Sequence, residues 1–122
     1  MPLRYWIDKE RRLVVLTGSG ILTFQEVKEQ QDRLLQDPDL NPDFDQLVDL
    51  TAVTIYDVTV DEAKTLARRQ VYSPTSRRAL VARDPATYGL ARMMQTHRAI
   101  AKVQSEARVF YDRKEALEWL GR

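Results

Sequence analysis

Between Gln46 and Glu62 the chain passes from a short apolar run, Leu47, Val48 and Leu50, into a helix start, Thr59 with Glu62 three residues later. A short apolar run of this kind fits a strand buried on both faces, as parallel sheets require. The Thr-x-x-Glu spacing lets a hydroxyl and a carboxylate satisfy two backbone N–H groups reciprocally at a helix N-terminus. Val53, Ile55 and Asp57 end the segment at the edge where open α/β sheets place their sites.

The same grammar repeats along the chain. Residues 4–8 and 12–17 are β-rich runs separated by Asp8-Lys9-Glu10-Arg11, which predicts a hairpin with an exposed turn. Gly18-Ser19-Gly20 breaks the second run and reads as a turn that uses glycine's permissive angles; it lacks the further glycines and lysine of a phosphate loop. Thr23 and Glu26 cap a helix with Phe24, Val27, Leu34 and Leu35 on one face, ending near Asp37-Pro38. The loop Asp37 to Asp43, with two prolines and three aspartates, excludes helix and central strand. A second helix from Thr59 places Val60, Ala63, Leu66 and Ala67 inward and turns Lys64, Arg68 and Arg69 away.

Arg78 to Ala82 is a short buried-type strand, and Asp84-Pro85 opens a long helix to about Gln104. Ala107 to Tyr111 is the last strand, after which Asp112 and Glu115 cap a final helix whose Trp119 and Leu120 anchor it to the sheet before Gly121. The expected order is β-β-α-β-α-β-α-β-α, an α/β fold with a mostly parallel sheet and an N-terminal antiparallel hairpin strand. Residues 1–122 form one domain in this reading.

Composition removes several function classes. Nineteen basic and eighteen acidic side chains leave a formal charge of +1, so no global field draws the chain to nucleic acid. No cysteine and a single histidine exclude thiolate and multi-histidine metal sites, and no cofactor is expected. No apolar run approaches the ~20 residues of a membrane span, and no leader is visible, so a cytoplasmic protein is expected.

Asp49, Leu50, Val53, Thr54 and Asp57 match in register the motif of the STAS domain, the SpoIIAA-like anti-sigma-factor-antagonist family. That motif reads roughly Asp-Leu-Ser-Gly-Val-Thr-Phe-Ile-Asp-Ser-Ser-Gly before a helix, and the chain resembles the family's element order over nearly its whole length. The serine that such antagonists offer for phosphorylation falls on Val58, and the glycine two places later on Val60. The resemblance implies a non-enzymatic regulatory domain acting through protein–protein interaction, with a regulatory protein partner docking near Asp57, Val58 and Thr59 and phosphorylation blocking it. Thr59 is the one hydroxyl between Asp57 and Val60, and it reads as a helix cap.

In the helix expected over 85–104, Tyr88, Leu90, Ala91, Met93, Met94, Ile100, Ala101 and Val103 cover more circumference than one sheet contact needs. Leu90, Met93, Met94 and His97 are therefore a candidate homodimer or ligand surface, with cover by the final helix and a loop as the plainer alternative. SEC14-like domains share a similar core and hold a lipid in such a groove, so a lipid or small apolar ligand binding protein is the second functional reading. His97 reads as a packed histidine, since no nucleophile stands near it. Arg68, Arg69, Arg77 and Arg78 bracket the loop Val71 to Ser76, either as scattered surface charge or as a site for an anion. Of the strand-end carboxylates Asp49, Asp57, Asp84 and Asp112, the last two read as caps and Asp57 as a pre-helix charge.

Overall fold

The charged stretch between the first two strands turns the chain back on itself: Arg11 N–H donates to the Asp8 carboxylate at 3.1 Å, and Arg12 takes a left-handed φ of 53°. The computed structural model describes residues 3–69, 71–85, 88, 89, 92 and 106–122. Its elements are β1 (Leu3–Asp8), β2 (Leu13–Thr23), α1 (Phe24–Gln36), β3 (Asp45–Asp57), α2 (Val60–Arg68), β4 (Arg77–Val81), β5 (Glu106–Phe110) and α3 (Arg113–Trp119). The strands lie in the order β1-β2-β3-β4-β5, with β1 antiparallel to β2 and the remaining pairs parallel, as the sequence predicts. The expected dimer or ligand residues Leu90, Met93, Met94 and His97 lie outside the described residues. At the start of that segment Tyr88 N–H donates to the Asp84 carbonyl at 2.8 Å, the first-turn bond that Asp84-Pro85 predicts.

Each face of the sheet buries its own apolar set. Val14, Leu16, Val48, Leu50, Leu80 and Val109 pack with Leu34 of α1, and Val58, Ala63 and Leu66 add a smaller cluster where α2 meets Phe24 and Val27. On the opposite face Leu13, Val15, Leu47, Ala79 and Val81 meet Ala116 and Leu120. Apolar side chains on both faces are what a central parallel strand needs, and β3 carries them alternately from Leu47 to Leu50.

Three local expectations need correction. Gly18-Ser19-Gly20 does not end β2; the strand runs on to Thr23 through two register shifts against β3, between Thr17 and Ser19 and between Gly20 and Ile21. Only Gly20 uses a left-handed φ, 65°, whereas Gly18 is required for space: a Cβ there would stand 3.0 Å from both Leu22 Cδ1 and Val53 Cγ2. Leu35 is exposed, because Leu34 takes the inward direction and an adjacent helical residue points about 100° away; buried Gln30 completes the stripe instead. Val60, expected inward, is the first residue of α2 and stays 43% exposed.

The end of α3 is tied to the start of the parallel strands. Arg77 donates to the Trp119 and Leu120 carbonyls at 2.9 Å each, satisfying acceptors that a helix end leaves open. The buried Asp45 carboxylate accepts from Arg77 N–H at 2.8 Å, from Arg77 Nη2 at 3.2 Å and from Arg122 Nη1 at 3.1 Å. Leu120 is fully buried, while Trp119 is half-buried, its ring tilted against Phe110 at 5.7 Å with the Arg77 guanidinium 5.5 Å from its centre.

Candidate functional site

Where strand order reverses, doubly wound sheets open a crevice that receives a ligand. Here β2 to β5 follow one another in sequence order, so no such reversal exists among the described strands. What the parallel edge offers instead is a projection. β4 pairs with β3 only from Gln46 to Asp49, whereas β2 accompanies β3 to its end, pairing Ser19 with Ala52, Ile21 with Ile55, Leu22 with Tyr56 and Thr23 with Asp57.

The projecting ribbon has two unlike faces. Leu22 is buried and Tyr56 partly so, on the face that α1 and α2 cover, and burial holds the Tyr56 phenol above its ordinary value. The other face presents Ile21 and Ile55, a cross-strand pair 52% and 54% exposed. Paired β-branched side chains normally stabilise a sheet by covering one another against a core, and here no described element covers them. Asp57 closes the ribbon as an exposed carboxylate, and half-exposed Val60 opens α2 just beyond it.

Of the three residues the sequence assigned to the switch surface, Asp57 and Thr59 are exposed and Val58 is not. Val58 is buried against Ala63 and Leu66, so the position where the resemblance expects a serine carries an apolar anchor for α2. Thr59 makes both halves of a capping box: its hydroxyl accepts Glu62 N–H at 3.1 Å, and its own N–H donates to Glu62 Oε1 at 2.9 Å. Thr59→Ala is expected to cost ~0.5–2 kcal/mol in thermal unfolding while leaving surface binding intact. Loss of binding without loss of stability would give the hydroxyl a role beyond capping.

The other polar candidates disperse. Asp49 is buried, accepts from Thr51 N–H and hydroxyl at 3.0 and 2.7 Å, and pairs with Arg113 at 3.1 Å, which fixes α3 to the middle of β3. Asp112 caps α3 through Lys114 N–H at 2.8 Å. Arg69 binds α1 through Asp32, the Lys28 carbonyl and Gln31; Arg77 is engaged with Asp45 and α3; Arg68 is exposed. Arg68, Arg69 and Arg77 therefore form no common site. No group of three or more metal-ligating side chains occurs among the described residues, and no helix among them is long and apolar enough to cross a membrane.

Sequence reasoning missed the isoleucine pair, because the glycines of β2 concealed its continuation. The available signal was the strand-like composition of Val53-Thr54-Ile55-Tyr56, which needs a pairing partner longer than residues 12–17 provide.

No protein-family model and no curated protein matches the chain. Among solved structures it is similar to an anti-sigma factor antagonist from Mycobacterium paratuberculosis, with a TM-score of 0.63 and 16% identity over 98% of this chain and 95% of that one. It is also similar to an uncharacterized protein of the DUF3478 family with a SpoIIAA-like fold from Shewanella loihica, with a TM-score of 0.61 and 17% identity over 97% of this chain and 93% of that one. At such identities the likeness is one of architecture: this chain has the SpoIIAA-like, STAS-type α/β fold.

Proposed function

We propose that the protein is a non-enzymatic, STAS-like regulatory domain that docks a protein partner on the projecting end of β2 and β3. The observation that carries this reading is the exposed Ile21–Ile55 pair, apolar area left open on the projecting ribbon beside the Asp57 carboxylate. Burying the exposed half of two such side chains is worth ~1 kcal/mol each, an apolar contribution to an interface whose polar rim sets specificity. The solved neighbour described as an anti-sigma factor antagonist supports a regulatory role for this architecture. Regulation by phosphate at Val58 is chemically excluded, and the Thr59 oxygen is already engaged as a cap.

Cross-linked complexes recovered from the native host with the unmodified chain and with an Ile21→Glu/Ile55→Glu double variant test the proposal. Both side chains are half exposed, so the variant should keep its circular dichroism and melting temperature. A specific partner is expected with the unmodified chain and absent with the variant. The same partner retained by the folded variant would place the docking surface elsewhere.

A further inference from the structure

The face of the sheet that carries α1 and α2 contains a cation, Arg78, that has no counter-charge among the described residues. Arg78 is the second residue of β4, paired with Gln46 on one side and Ala107 on the other, in a row that leads into Val48, Leu80 and Val109. Its Nε is buried with no hydrogen-bond partner, and the Tyr72 hydroxyl, also buried, has none either. None of the ion pairs among the described residues includes Arg78. Residues 86–105 hold no aspartate or glutamate at all, so no carboxylate of that segment can serve.

A buried charge without a partner is among the costliest features a fold can retain, and an unmade hydrogen bond adds to that cost. Burial holds the Arg78 guanidinium below arginine's ordinary value and the Tyr72 phenol above tyrosine's, with Tyr72 and Tyr56 the neighbours near enough to act on the guanidinium charge. Arg78, Tyr56 and Tyr72 each keep partial exposure as whole residues, while the Arg78 Nε and the Tyr72 hydroxyl are themselves buried.

We propose that Arg78 and Tyr72 form the head of a binding site for a small organic carboxylate with an apolar body. One guanidinium supplies one positive charge and a planar fork that matches the two oxygens of a carboxylate, and the phenol adds a neutral donor. A multiply charged phosphate would leave surplus negative charge against apolar walls. Apolar side chains stand beside this head: Val48, Leu80 and Val109 belong to the buried cluster that Tyr56 and Tyr72 pack against. The site is independent of the Ile21–Ile55 surface.

The test is calorimetric titration of the full chain with decanoate, acetate and inorganic phosphate, repeated on Arg78→Met and Tyr72→Phe. Decanoate should bind saturably, acetate and phosphate far more weakly, and Arg78→Met should lose roughly tenfold or more in affinity, the change that follows loss of a charged hydrogen bond. Without ligand, Arg78→Met should melt at or above the temperature of the unmodified chain, since it removes an uncompensated charge. Absence of saturable decanoate binding, equal affinity in Arg78→Met, or phosphate binding as tightly as decanoate would each overturn the proposal. So would a lowered melting temperature in Arg78→Met that Arg78→Lys restores, because the arginine would then be satisfied within the fold.

Discussion

Leu120→Ala is expected to lower the unfolding free energy by ~2–5 kcal/mol, the range for truncating a large aliphatic residue at a site that cannot collapse around the cavity. Leu120 is fully buried among Leu13, Val15, Leu47, Ala79 and Val81, and its position on the chain is fixed from outside by the Arg77 bonds to the neighbouring carbonyls. The backbone therefore has little freedom to move inward. Chemical denaturation should show a lower midpoint with an unchanged slope. Trp119→Ala should cost less, since the indole is half-buried and much of its contact is with Phe110 and the Arg77 guanidinium at the surface. A larger effect at Trp119 than at Leu120 would reverse the assignment of the anchor.

Gly18→Val should destabilise by ~1–3 kcal/mol through overpacking, although valine favours strands. The first added carbon would already stand 3.0 Å from Leu22 Cδ1 and Val53 Cγ2 and 3.4 Å from Leu50 Cδ2, and two further methyl groups must displace those side chains. Gly20 offers a contrast within the same strand. Nothing lies within 4 Å of a Cβ placed there, so Gly20→Ala meets only the strain of φ 65° and should cost ~1 kcal/mol or so, within the range for a single residue in the left-handed region. Equal melting curves for Gly18→Val and the unmodified chain would show that β2 and β3 separate more easily at this point than their packing indicates.

These two glycines mark where the sequence was legible and where it was not. Caps are local, made by residues three apart on one stretch of chain, and Thr23, Thr59 and Asp112 all cap the helices predicted for them. The element order and the antiparallel first strand followed from the same local signals. Gly18 owes its role to Leu50 and Val53, more than thirty positions away, and no window along the chain contains that information. Asp45 likewise meets its partners from far along the chain, Arg77 at 32 residues and Arg122 at 77, so no local signal marked it as a buried hub. At the candidate site, Asp57 and Thr59 are exposed at the end of β3, whereas the burial of Val58 depends on Ala63 and Leu66 closing over it and the exposure of Ile21 on a strand extension the glycines hid.

The order of the strands bears on how the fold is reached. Because β1 to β5 lie side by side in the sequence in which they are made, each new strand adds to the edge left by the one before, and none must be inserted between two already joined. Every closure therefore spans one hairpin or one crossover, and the entropy of closing a loop grows only with the logarithm of its length. Assembly can run in the direction of synthesis, with β1, β2 and α1 waiting as a template for β3, and the growing sheet never exposes more than one unsatisfied edge at its advancing side.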